Sequence, residues 1–163
     1  MTSVGNRAVT KLLQLLTAGV NGAIATLAAA ESVQIPAITG RQIVTENVSV
    51  ELAEKSGDAR HNAVLIYCDK ISNTLREKFR TFSGRISVTI VVRVTHDRME
   101  GVDATLRVYA DSVGQVLNQN RGDWGTGLFY GGGYEATFAA VKHGGRNFIQ
   151  IAKVNIEVDA SVN

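Results

Sequence analysis

Between residues 84 and 117 the chain switches period once, and that switch limits what the remainder can become. Ile86, Val88, Ile90, Val92 and Val94 alternate with Ser87, Thr89, Val91, Arg93 and Thr95. A period of two, rich in β-branched side chains, puts one face of a long strand into a core. From Val102 onward the apolar positions fall at Leu106, Tyr109, Val113, Val116 and Leu117, the stripe of an amphipathic helix. Asp97 and Glu100 lie between the two at the spacing of a capping box, which predicts a helix over residues 100–117. A long strand feeding a helix that must lie back on a sheet is an α+β arrangement.

A second helix is expected over residues 6–30. Val9, Leu12, Leu13, Leu16, Val20, Ile24 and Leu27 share one helical face, with Thr10, Gln14, Thr17 and Asn21 largely opposite. Residues 12–30 carry no charge, follow Arg7 and Lys11, and end in Ala28-Ala29-Ala30-Glu31, which imitates a secretory signal. One-sidedness favours a helix covering a sheet, because a membrane span need not be one-sided. Gly19 and Gly22 lie mid-helix, where they allow close packing or a bend.

Pro36 bars helix continuation in the exit loop. Short alternation over residues 41–53 (Ile43; then Val48, Val50, Leu52) predicts one or two modest strands, and residues 54–60 a surface loop. Ala63-Val64-Leu65-Ile66-Tyr67 is a continuous apolar run of strand length, expected to be buried on both faces. Residues 69–80 are charged and turn-like, the outward end of a hairpin. Residues 118–126 form an exposed connection, and Leu128 to Gly133 a glycine-rich corner. Tyr134 to Val141 reads as a strand that returns through the loop Lys142-His143-Gly144-Gly145-Arg146 into a last strand over 148–159. Ile149 and Ile151 are out of phase with Val154, Ile156 and Val158, so a bulge near Lys153 or burial on both faces is expected. With 163 residues, 45% of them hydrophobic, the chain suits one domain over 1–163. Its expected form is a mostly antiparallel sheet against two helices, in the order α-β-β-α-β-β with minor extra strands.

Chemistry is poorly represented. His61, His96 and His143 are scattered and the single cysteine, Cys68, sits in a strand pattern, so no metal-ligand spacing exists. Asp97 with Glu100 reads as capping, and Asp103 with Asp111 as a solvated helix face. Gly131-Gly132-Gly133 lacks the Lys-Ser/Thr of a phosphate loop. The net charge of +2 does not advertise a nucleic-acid groove, and aromatics are not interleaved with Lys and Arg. Arg76, Lys78, Arg80 and Arg85 form a local basic cluster with Glu77 inside it. No catalytic, metal or cofactor-binding residue is expected, and no cofactor.

The order of segments resembles the tail terminator (tail completion) proteins of tailed bacteriophages. The likeness runs over residues 8–160: an N-terminal helix, then Asn62-Ala63-Val64-Leu65-Ile66-Tyr67-Cys68-Asp69 as an apolar strand ending in an acidic turn. The long strand of 85–94, the helix of 100–117 and the closing hairpin complete it. One departure is Asn62, where that family often carries Pro. The resemblance implies a non-enzymatic virion protein of the tail or neck, assembled in the host cytoplasm. It implies a ring, typically a hexamer, that caps the tail tube and meets the head connector. DNA would pass through such a ring without sequence-specific recognition. Closed rings come from heterologous contacts between unlike patches. The assembly candidates are Trp124, Phe129 and Tyr130 in the corner and Arg76, Lys78 and Arg80 around the first hairpin. For each, a plainer role stands beside it: core filling for Phe129, solubility for the basic residues. Other neck components, and a small ligand-binding or enzymatic α+β domain, are the alternative functions.

Overall fold

The computed structural model describes residues 3–56 and 60–163. Along the chain lie helix α1 (Val4–Ala30), a 3-10 turn (Gly40–Gln42), strand β1 (Ile43–Val44) and helix α2 (Val50–Ser56). Strands β2 (Ala63–Ser72) and β3 (Phe82–His96) and helix α3 (Val102–Gln119) follow. The remainder is β4 (Gly122–Gly125), β5 (Leu128–Tyr130), β6 (Glu135–Phe138), β7 (Lys142–Gly144) and β8 (Asn147–Val162). Among the described residues the strands form one eight-stranded sheet in the order β1-β2-β3-β8-β5-β4, with β6 and β7 also paired to β8. All pairs are antiparallel except β1 with β2. The fold is α+β, as the periodicities predict.

Strands β3 and β8 are the spine, paired without interruption from Phe82↔Val162 to His96↔Phe148. Their even-numbered residues, Ile86 to Val94 and Ala152 to Ala160, face α1 and α3 and are buried. Helix α1 contributes Leu12, Leu16, Val20 and Ile24 to this core, and α3 contributes Leu106, Tyr109, Val113 and Leu117. Each of these is on the face that its spacing predicts. Gly19 lets the two helices approach closely, since a Cβ there would lie 3.2 Å from Val116. Helix α1 has the length and mean hydropathy (1.5) of a membrane span. Its apolar stripe is nevertheless spent on the sheet, and a chain beginning at Glu31 would lack that half of the core.

The register of β3 with β8 has no shift, so Ile149 and Ile151 are not displaced by a bulge. They belong to the second face of the sheet. There Ile149 packs on Ala53 of α2 with Val48 and Val50, and Ile151 joins Ala63, Leu65 and Val91. This explains why Ala63 to Ile66 are buried on both faces.

Several local expectations are corrected. Of the one or two modest strands expected over residues 41–53, only the two-residue Ile43–Val44 forms, and the alternation at Val50 and Leu52 falls on a helix over Val50–Ser56. Residues 54–56 are the last turn of α2, and residues 57–59 of the expected loop lie outside the described residues. The capping box does not form. Gly101, at φ 81°, is the N-cap of α3 and gives no side-chain hydrogen bond, which leaves Asp97 and Glu100 outside the helix. Asp97 instead sits 3.0 Å from His96 Nδ1. Residues 118–126 are the end of α3 and then β4, a strand of the sheet rather than a free connection.

Candidate assembly surface

Strands β2 and β3 are joined by a loop over residues 73–81 that lies beside the end of β8. Its base is fixed. Asn73 Oδ1 accepts from Ser83 N at 2.9 Å, and Thr81 N donates to the Val162 carbonyl at 3.0 Å. Its flank is held too: Ser161 Oγ donates to Glu77 Oε2 at 2.8 Å, and Arg80 Nη1 to Asn163 Oδ1 at 3.0 Å. At Gly84 a Cβ would overlap the Ser72 carbonyl oxygen, so only glycine lets the two strands cross so closely there.

The outward side of this loop is apolar and basic together. Phe79 is 89% exposed and Leu75 61%, while Arg76, Lys78 and Arg80 are exposed beside them. Lys78 Nζ stands 5.7 Å from the Phe79 ring centre. Arg76 and Phe79 take φ of 52° and 65°, a left-handed conformation that is unusual for bulky residues. Backbone held this way collects at sites of function, where surrounding contacts maintain it. By contrast Phe82, three residues on, packs against the core.

The corner aromatics separate. Phe129 is 50% exposed on β5. Trp124 and Tyr130 are buried, contrary to the expectation that they stand on the surface. Their rings lie 5.3 Å apart and tilted by 39°. Trp124 Nε1 donates to the Asn120 carbonyl at 2.7 Å, closing the end of α3, and Tyr130 Oη donates to the Gly133 carbonyl at 2.8 Å. Burial pushes the Tyr130 hydroxyl above the usual phenol range. Of the expected glycine-rich corner, Leu128 to Tyr130 form β5, which a tight turn through Thr126 and Gly127, both at positive φ, joins to β4, and Gly131 to Gly133 follow outside any strand. Both rings thus belong to the subunit's core, with Trp124 also lining the groove beside the start of α1.

The groups weighed for chemistry have ordinary surroundings. Asp103 pairs with Arg107 one turn on and accepts from Gln150 Nε2 at 2.9 Å. His143 is exposed, its ring edge-on to Phe148, and the His61 carbonyl accepts from Arg93 at 3.3 Å. Desolvation raises the pKa of the Cys68 thiol, which suits a packing residue. Among the described residues no group of three His, Cys, Asp or Glu converges as metal ligands would.

No protein-family model matches this chain, and no curated protein matches it either. Its surface must therefore speak through its residues. Besides the loop, that surface has a cleft of about 500 Å3 beside β1 and α2, with Val44, Val48 and Leu65 on its apolar side and His61, Asn62 and Arg93 on its polar side.

Sequence reasoning missed Phe79 and Leu75 as surface features. The available signal was an aromatic set among Arg76, Glu77, Lys78 and Arg80, in a stretch too charged to be core. A run of this kind between two strands places its apolar residues in solvent unless another chain covers them.

Proposed function

We propose that this chain is a structural protein of a phage tail, a terminator that closes into a ring on the tail tube and meets the head connector. The observation that supports it is the β2–β3 loop: Phe79 and Leu75 held in water on a braced arm, between three basic side chains. Exposed apolar side chains grouped on an ordered support mark a surface made for another protein. The arm is unlike the rest of the sheet, which suits the unlike patches that ring closure requires. No step of chemistry is assigned to any residue. Sedimentation of the purified protein against Phe79→Asp is the test. The variant is expected to stay folded and sediment as a single subunit while the unaltered protein forms a larger species. An unchanged sedimentation profile in Phe79→Asp refutes the arm's role.

The cleft beside β1 favours a second reading, a small-ligand domain, because an apolar pocket with a few polar groups is the usual form of such sites. Thermal-shift measurements against a panel of small apolar anions test it. A ligand that raises the melting temperature, and whose effect Leu65→Ala reduces, favours this reading over the terminator.

A further inference from the structure

Two shallow grooves on the subunit carry opposite charge. The first, about 780 Å3, lies where the start of α1 meets the β2–β3 loop and the end of β8, with Arg7, Lys11 and Arg80 lining it. No acidic side chain is among its lining residues. Glu77 stands at its rim, 4.0 Å from Arg80 and occupied by the Ser161 hydroxyl. The second, about 420 Å3, crosses the outer face of the sheet, where Asp69 of β2, Glu135 of β6 and Glu157 of β8 converge around Thr89 and Asn155. No basic side chain lines it, although Arg85 lies 3.6 Å from Glu157 at one side. An exposed ring accompanies each: Phe79 precedes Arg80, and Tyr134 lines the acidic groove.

Both grooves are built on the same sheet and its packed helix, so within one subunit they cannot close on each other. Between copies they can. We infer that the basic groove of one copy docks on the acidic groove of the next, a head-to-tail contact whose repetition closes the ring; this rests on the terminator reading above. The occupant is another copy of this chain because three cationic side chains line one groove and three carboxylates the other, each without a side chain of opposite charge along its lining. Complementary potentials of this kind set register and exclude wrong partners more than they add raw affinity. The contact is accordingly sensitive to salt.

The test uses two double variants of the full chain, Lys11→Glu with Arg80→Glu and Asp69→Lys with Glu135→Lys, and reads assembly by light scattering. Circular dichroism checks that each remains folded. Each variant alone is expected to raise the concentration at half-assembly by about a hundredfold or more. An equimolar mixture is expected to assemble again, because every junction in an alternating ring then joins opposite charges. If a reversal unfolds the subunit, Lys11→Gln with Arg80→Gln and Asp69→Asn with Glu135→Gln are each expected to weaken assembly alone by a smaller factor, and recovery in mixture is read from the reversals only. Variants that assemble like the unaltered protein, or a mixture that fails to recover, overturn the docking while leaving a ring intact. An unaltered protein that never assembles removes the ring and the docking together. A basic-groove variant that loses retention on a DNA duplex while still assembling assigns that groove to nucleic acid and overturns the proposal.

Discussion

Asn62 shows how one side chain can organise a junction of elements. Its Oδ1 accepts from Thr95 N at 2.9 Å, continuing the β2–β3 ladder one step past Ala63↔Arg93. Its Nδ2 donates to the Tyr109 hydroxyl of α3 at 3.2 Å, and that hydroxyl donates to the Pro36 carbonyl at 2.7 Å. Its carbonyl accepts from Gln42 Nε2 at 2.9 Å. A proline here would supply neither side-chain bond, so the departure from the pattern of the resembling family has a local cause. Asn21 acts similarly: it trades two hydrogen bonds with Ile38, of 2.7 and 2.8 Å, and so pins the exit loop along α1. In sequence it reads only as an interruption of an apolar run. Long-range partners of a polar side chain leave no periodic trace, which is why neither clamp was legible. Trp124 was misplaced for a related reason, because a lone aromatic between glycines and an Asp has no stripe to join. Trp124→Ala is therefore expected to cost about 3–5 kcal/mol of stability, measured by urea unfolding. Phe129→Asp, at a half-exposed position, is expected to leave the unfolding midpoint nearly unchanged.

At the scale of elements, periodicity carried the fold. The strand of β3, the stripes of α1 and α3 and the double burial of β2 were all legible, because each extends over enough residues for its period to show. The short α2 was not, since seven residues around Val50 and Leu52 fit either period. What holds α2 is also not local. Ala53 packs on Ile149, and Lys142 of β7 reaches Glu54 at 3.1 Å and Glu51 at 3.4 Å. Lys142 has its pKa raised, chiefly by its hydrogen bond with Glu54, partly opposed by desolvation and supported further by Glu51. Glu51 has its pKa lowered, first by its backbone hydrogen bond and then by Lys142. The lysine's contribution is complete below its unfolded pKa and lost as pH rises through the raised folded value. The Glu51 contribution is present above its unfolded pKa and lost as pH falls through the lowered value. The Ala53 methyl resonance is thus expected to hold steady from about pH 5 to pH 10 and to move outside that window. In Lys142→Ala the alkaline movement should vanish. For α1, Leu16→Ala is expected to lose about 2–5 kcal/mol, and a chain starting at Glu31 is expected not to fold cooperatively.

For the whole molecule, sheet and helices account for the interior, whereas the candidate function lies wholly on the surface. Strand and helix periods were readable because they report which side of an element meets the core. Surface grooves were not, because Asp69, Glu135 and Glu157 come from strands far apart in sequence and meet only through β-pairing. The basic loop was visible as a cluster, but not its apolar tip or its bracing to β8. For the molecule as a unit, the proposal is that a folded subunit with an apolar-tipped loop and two oppositely charged grooves assembles with copies of itself. The most direct measurement is the mass of the purified protein by light scattering over a range of concentration at low salt, with negative-stain images of the same fractions. A species of several subunits with a central hole, dissociating as salt rises, is the predicted result. A single-subunit mass at every concentration, with no rings in the images, would contradict it.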